Sequence, residues 1–218
     1  MRIQEIFFCL SLSISFPALA SIYVYNRIDK NTYPIYGILI CTILGIANEI
    51  ILYNIHNQKI FNVVLNVYML LEFCLLQYQF FLWNKWLNAR RIVLTMIVIA
   101  LIWFFTSFYS GSIYLRNTYF TIVYSFVLII TAVSVINKLI FSTKYILKNF
   151  QFIFCCVILL LYTYNIVVEI LCMYVEVFSN QFIRNVFFIK SIFNFFSNIL
   201  LAISLLCIPK KQKYSLSF

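Results

Sequence analysis

The segment 61–83 constrains this chain more than any other, because it is long and apolar enough to cross a bilayer and yet contains an acid, Glu72, near its middle. A helix rises about 1.5 Å per residue, so about 20 apolar residues cross a hydrocarbon core of about 30 Å. A carboxylate at that depth costs several kcal/mol in lipid and persists where it faces a bundle interior or a wet cavity. The segment therefore predicts a membrane helix that faces a polar interior.

Composition extends this prediction to the whole chain. The 218 residues are 64% hydrophobic and 10% charged, whereas soluble domains are about half apolar and about one quarter charged. Seven apolar spans, each with few or no charges, are separated by short polar gaps, at about 6–25, 34–55, 61–83, 92–109, 118–137, 150–177 and 185–208. We predict an all-α polytopic membrane protein, a single bundle of seven transmembrane helices that covers residues 1–218.

Basic residues in the gaps predict the orientation of this bundle. With seven crossings, eleven basic residues fall on one side and four on the other. Because loops rich in Lys and Arg stay in the cytoplasm, we predict an amino terminus outside and a carboxyl terminus inside. The first span, with its sequence Pro17-Ala18-Leu19-Ala20, also fits a cleaved signal peptide. Cleavage would put the most basic loops outside, so a retained first helix is favoured.

Polar and charged residues recur at helical spacing inside four of the spans. They are Asn48 and Glu49 in span two, Tyr68 and Glu72 in span three, Asn165 and Glu169 in span six, and Lys190, Asn194 and Asn198 in span seven. Residues three or four positions apart share one face of a helix. In span two this places Thr42, Gly45 and Tyr53 on the face of Glu49, and we predict that this face looks into the bundle.

Depth indicates which of these groups can meet. Counting about 1.5 Å per residue puts Glu49, Glu169 and Lys190 about 8–12 Å below the outer interface, and Glu72 about 17 Å below it. An ammonium at the depth of Lys190 needs a partner, and Glu169 on the preceding helix is the predicted one. We predict a polar cavity, open to the outside and closed below Glu72, that receives a small ligand or ion. Interhelical hydrogen bonds of about 0.6–2 kcal/mol each also explain the Asn positions.

Patterns for catalysis, metal binding and nucleic-acid binding are largely missing. One histidine excludes an H-E-x-x-H zinc motif, and three distant glycines exclude a phosphate-binding loop. The seven cysteines lie within apolar runs and lack the paired spacing of a disulfide framework or a zinc site. The basic residues are spread over short loops, so direct nucleic-acid binding is not expected. We expect no enzymatic activity, no metal and no cofactor.

The chain resembles the uncharacterised seven-span membrane proteins of Bacteroidota in a pattern of NE followed by N-x-Y-x-x-x-E-F. The pattern consists of Asn48 and Glu49 in span two and Asn66, Tyr68, Glu72 and Phe73 in span three. This resemblance implies a bacterial inner-membrane location and no assigned activity. As a small multi-span protein the chain is also similar to the membrane accessory proteins of type VI-B CRISPR systems, which implies a role in phage defence.

These observations lead us to expect a non-enzymatic multi-pass membrane protein with a receptor-like or regulatory function. Two alternatives remain open: a defence accessory that perturbs the membrane, and a small-solute or proton-coupled transporter. The expected partners are the lipid bilayer, a cytoplasmic or membrane protein docked on the basic loops and the Lys-rich tail, and further copies of the same chain.

Overall fold

The computed structural model of the protein describes residues 3–28, 34–83, 89–109, 113–142, 146–174 and 178–209. Its helices are α1 (Ile3–Ser11), α2 (Ser15–Tyr25), α3 (Tyr36–Asn54), α4 (Gln58–Trp83), α5 (Ala89–Tyr109), α6 (Thr118–Ser142), α7 (Phe150–Met173) and α8 (Asn180–Leu206). Short 3₁₀ turns occupy Leu12–Ile14 and Ile146–Lys148. The described part of the chain is therefore all-α, as predicted.

Six segments of this described part are long and apolar enough to cross a membrane. They are Phe8–Tyr25, Tyr36–Asn54, Gln58–Trp83, Thr118–Phe141, Phe150–Met173 and Gln181–Leu206. The predicted span 92–109 falls in α5, whose described apolar part, Leu94–Phe108, is shorter than the other six segments. The chain thus has the helices of a multi-pass membrane protein, and the seventh crossing stays a prediction.

Several helix ends differ from the apolar spans. The helix of span five continues to Ser142 instead of stopping at 137, and that of span six ends at Met173; residues 175–177 lie outside the described ranges. The last helix begins at Asn180, because Ser179 Oγ caps it by accepting a hydrogen bond from the Phe182 N–H at 3.2 Å. Apolar runs mark the hydrocarbon crossing, whereas backbone hydrogen bonding carries a helix into the interface.

The long helices pack as a closed ring. Around it, α2 contacts α3, α3 contacts α4, α4 contacts α6, α6 contacts α7, α7 contacts α8, and α8 returns to α1 and α2. α5 lies beside this ring, against α4 and α6. Large side chains fill the interior, among them Phe73, Phe80, Tyr124, Phe154 and Tyr162. The polar groups of α3, α4, α7 and α8 are consequently brought around one shared core.

The first span is broken near its middle. α1 ends at Ser11, a 3₁₀ turn follows, and α2 starts at Ser15. Pro17 lies in the first turn of α2, where its missing N–H removes no helical hydrogen bond. Both Ser13 in the turn and Pro17 are buried. At the break, the hydroxyl of Ser13 and the backbone of the 3₁₀ turn therefore face the inside of the ring.

The start of α3 is capped by a side chain from α4. Gln79 Oε1 accepts hydrogen bonds from the backbone N–H groups of Gly37 at 3.0 Å and Ile38 at 3.3 Å. The Gln79 Nε2 donates to Pro34 O at 2.7 Å. A Cβ at Gly37 would lie 2.6 Å from Leu75 O, so glycine is needed for this close helix approach. Gln79 thus satisfies backbone groups that lipid cannot hydrogen-bond.

We expect Gln79→Leu to lower the free energy of unfolding by about 2–4 kcal/mol, because three hydrogen bonds are lost inside the membrane. Gln77→Leu is a matched control, since Gln77 makes one hydrogen bond, to Thr131 Oγ1 at 3.2 Å, and should cost about 1 kcal/mol. Unfolding of the purified variants in detergent measures both losses. Equal losses would contradict the capping role of Gln79.

Candidate functional site

Glu169, on α7, has no exposed surface. Its Oε1 accepts a hydrogen bond from the guanidinium of Arg116 and lies 3.8 Å from the Lys190 Nζ on α8. The predicted pairing of Glu169 with Lys190 is therefore confirmed, and Arg116 is a second cation that the sequence did not indicate. A buried carboxylate is stable in its charged form when cations and hydrogen bonds compensate it. We call these three residues the ion cluster.

The loop that carries Arg116 is fixed to the ring by an amide on α4. The Asn66 Nδ2 donates to the backbone oxygens of Ile113 at 3.0 Å and Leu115 at 2.8 Å. The Asn66 Oδ1 accepts from the Asn117 N–H at 3.1 Å. Asn66 is fully buried, and these three hydrogen bonds of its side chain all go to the loop. The loop therefore holds Arg116 in a defined position.

Asn117 fixes the other side of the same loop. Its Oδ1 accepts from the Phe120 N–H at 3.0 Å and so caps the start of α6. Its Nδ2 donates to Thr106 Oγ1 at 2.8 Å and Ser107 Oγ at 2.9 Å, both on α5. The loop is consequently tied to α4, α5 and α6 together.

Sequence reasoning missed Arg116 because it treated every basic residue in a gap as an indicator of topology. One signal in the sequence was informative. Arg116 directly precedes Asn117, a residue type that favours a helix start. It therefore lies at the edge of the bundle, within side-chain reach of acids on neighbouring helices.

A second polar feature is a cavity of about 80 Å³ around Glu72. It is lined by residues from α2, α3, α4, α7 and α8, together with Ile14 of the 3₁₀ turn. Tyr68, Glu72 and Tyr162 all belong to this lining, so two phenols lie beside the Glu72 carboxylate. The charged groups nearest to Glu72 include Lys190 and Glu49. We call this space the Glu72 cavity. It places an acid, two phenols and a nearby ammonium in the centre of the ring.

The residues predicted to share one cavity are distributed over more than one place. Tyr68, Glu72 and Asn198 line the Glu72 cavity, and the Asn198 Nδ2 donates to Ser13 Oγ at 2.8 Å. Glu169 and Lys190 lie in the ion cluster, outside the lining of that cavity. Asn165 and Asn194 are half-buried on α7 and α8 and are likewise outside the lining. Lys190 connects the two features, because it acts on both Glu169 and Glu72.

On α3 the buried face includes Thr42, Gly45 and Asn48, whereas Glu49 is half-buried at its edge. Asn48 is 6% exposed, and its Oδ1 has no hydrogen-bonding partner among the described residues. Glu49 is half-buried and interacts with Ser11. Tyr53, predicted to face inward with Glu49, is 51% exposed and stacks on Phe8 at 4.0 Å. The predicted inward face is therefore confirmed at Thr42 and Gly45 and wrong at Tyr53, and Glu49 lies at the edge of this face.

Other chemistry is not indicated by the described part of the chain. No group of three or more His, Cys, Asp or Glu side chains there could hold a metal ion. The cysteines are free thiols. Comparison of the chain with protein-family models, with curated proteins and with solved structures found no match. The ion cluster and the Glu72 cavity are therefore interpreted from their own chemistry.

We expect Glu169→Gln to be the most destabilising change in the ion cluster, at about 3–5 kcal/mol, because it leaves two cations without their carboxylate. Lys190→Met alone should cost less, since Arg116 still neutralises Glu169. The double variant with Lys190→Met and Arg116→Gln should lose more unfolding free energy than the two single variants lose together, because Glu169 then has neither cation.

Thermal unfolding of these variants in detergent gives the required double-mutant cycle. Arg184→Gln is the matched control, since Arg184 is an exposed basic residue near the start of α8 and should change stability little. If the stability losses of the two single variants simply add in the double variant, Lys190 and Arg116 do not both compensate the charge of Glu169.

Proposed function

We propose that this protein is a non-enzymatic, multi-pass membrane regulator in which the Glu72 cavity binds a proton or a small cation. The carboxylate of Glu72 supports this function most directly, because it lies near the middle of α4 and lines a cavity inside the helix ring. Ionisable groups at such a depth mark ion pathways, proton relays or ligand counter-ions. Binding at Glu72 would then change the packing of the ring.

The size and lining of the cavity favour a proton or small cation over an organic solute. Sites for drug-sized molecules measure about 300–1,000 Å³, whereas a water needs about 10–15 Å³. The volume of about 80 Å³ is far below the first range and well above the second. Most of the lining is apolar, and its oxygen-bearing side chains, which include Thr42, Tyr68 and Tyr162, accompany Glu72. Carboxylate and other oxygen ligands suit hard cations, which often retain some of their water.

The position of the cavity provides a route from binding to regulation. Five helices meet there, represented by Pro17 on α2, Thr42 on α3, Glu72 on α4, Tyr162 on α7 and Asn198 on α8. A ligand shifts a conformational equilibrium when it interacts differently with two arrangements. Because one occupant contacts most of the ring, small changes in helix packing alter its binding free energy. The basic loops and the Lys-rich tail offer a docking surface for a protein that receives the signal.

Proton-coupled or solute-coupled transport is a second candidate, favoured by one observation. Glu72 lies near both Glu49 and Lys190, and the three residues lie on three different helices. Such a series of ionisable groups is typical of proton relays. A membrane-perturbing role in phage defence is supported by resemblance alone. All three functions suit a multi-pass protein of a bacterial inner membrane.

We also propose that α5 crosses the membrane, which gives seven crossings with the amino terminus outside. The chain enters α5 beyond Trp83, whose Nε1 donates to Pro34 O at 3.0 Å at the start of α3. It leaves α5 at the loop held by Asn66. Asn66 and Trp83 are separated by about 25 Å along α4, at 1.5 Å per residue. These contacts favour a helix α5 that connects the two membrane surfaces.

Reporter fusions test this topology. Fusions after Arg91, after Lys148 and at Phe218 should read cytoplasmic, and those after Lys59 and after Arg116 should read periplasmic, because basic loops are retained inside. Identical readings after Arg91 and after Arg116 would mean that α5 does not cross. A periplasmic carboxyl terminus would overturn the seven-span count.

We expect Glu72→Gln to abolish the stabilisation of the purified protein by its cation or proton. A ligand at about 100 times its Kd stabilises the protein that binds it by about 2.7 kcal/mol. Thermal unfolding is therefore measured against Na⁺, K⁺ and pH at constant ionic strength. Glu49→Gln removes an acid that lies near Glu72 but outside the cavity lining, so it should weaken the response without abolishing it. An unchanged response in Glu72→Gln would contradict binding at this site.

Three further measurements separate the candidate functions. Uptake into proteoliposomes that Glu72→Gln abolishes indicates a transporter. Oligomerisation with depolarisation of the host cell indicates a membrane-perturbing accessory. A regulator shows neither effect and copurifies with a membrane or cytoplasmic partner whose binding depends on Glu72.

A further inference from the structure

We propose a second binding site, for an oxyanion such as a carboxylate or phosphate group, in the cavity beside Arg116. This cavity has a volume of about 240 Å³ and lies where α6 begins. It shares no lining residue with the Glu72 cavity. We call it the Arg116 cavity. Its volume is close to the lower end of the range for small-molecule sites, about 300–1,000 Å³.

The lining of the Arg116 cavity is rich in hydrogen-bond donors and contains no carboxylate among the described residues. Arg116 is accompanied in the lining by the hydroxyl-bearing residues Thr118 and Tyr119. Thr106 and Ser107 also line the cavity, and their hydroxyl oxygens accept from Asn117 Nδ2. Arginine presents N–H groups in a planar fork that matches carboxylate and phosphate oxygens. This combination favours an anion over a cation or an apolar molecule.

The charge of the adjacent ion cluster favours the same type of ligand. Two basic residues, Arg116 and Lys190, face one carboxylate, Glu169. Glu169 interacts with the Nη2 of Arg116, whereas the buried Nε–H has no acceptor in the described part of the chain. Buried donors in native proteins are nearly always satisfied, by protein, water or an ion. An oxyanion would supply an acceptor for this N–H group.

Compensation of Glu169 does not by itself account for Arg116. Lys190 lies 3.8 Å from the same carboxylate oxygen and could balance its charge alone. Arg116 is instead held at the cavity by a loop that Asn66 and Asn117 tie to three helices. Such rigid positioning of a charged group is characteristic of binding sites, because the group needs little reorganisation when the ligand arrives.

The purified full-length protein tests this site directly. In detergent, the midpoint of thermal unfolding is measured against increasing inorganic phosphate or succinate, with chloride keeping the ionic strength constant. We expect a saturable increase with at least one of the two anions. The same measurement in nanodiscs with and without phosphatidylglycerol distinguishes a soluble anion from a lipid headgroup. The absence of any saturable increase from phosphate, succinate and phosphatidylglycerol would overturn the site.

Variants separate this site from general charge effects. Arg116→Gln should weaken the apparent affinity by at least about tenfold, as expected for loss of a charge-assisted hydrogen bond. Arg184→Gln removes an exposed basic residue outside the cavity and should leave the affinity unchanged. If Arg116→Gln does not fold, Thr118→Phe fills the cavity without changing charge and should also abolish the response. An anion response that persists in the folded cavity variants would overturn the proposal.

Discussion

The burial of Glu169 sets the main constraint on this bundle. A carboxylate without exposed surface requires compensation, and here Arg116 from a loop and Lys190 from α8 provide it. This requirement determines where the loop before α6 must lie and how α8 is rotated beside α7. Lys190 in turn acts on Glu72, so the electrostatics of the ion cluster and of the Glu72 cavity are linked. A change of charge in either place alters the other.

Amides set the relative heights of the helices. Near the end of α4, Gln79 binds the backbone at the start of α3. Nearer the start of the same helix, Asn66 binds the loop that precedes α6. In a bilayer no solvent replaces such bonds, so sliding one helix along another leaves backbone groups unsatisfied. α4 therefore fixes the position of α3 at one end of the bundle and of the loop before α6 at the other end. The groups around Glu72, halfway between these two amides, are held in register as a result.

Sequence reasoning predicted the helices well and the site in part. Apolar runs and the cost of exposing backbone to lipid define spans almost independently of tertiary structure, so the long helices fall where they were expected. The pairing of Glu169 with Lys190 followed from the cost of an isolated ammonium. Arg116 could not be assigned, because its role depends on how a loop folds. On α3 the inward positions of Thr42 and Gly45 were predicted correctly, but Tyr53 was not, because α3 carries apolar residues on every side and polar spacing alone does not fix where its inward face ends.

The order of charged residues along the chain has a consequence for membrane insertion. α3 and α4 bring Glu49 and Glu72 into the bilayer, whereas the basic residue within a span, Lys190, arrives on α8. During synthesis from the amino end, the early helices must keep their acids protonated or in contact with water, since uncompensated charge is costly in lipid. The arrival of α8 closes the helix ring and supplies the missing counter-charge in one step. A nascent chain that stalls before α8 would display unbalanced acids to the chaperones and proteases of the membrane.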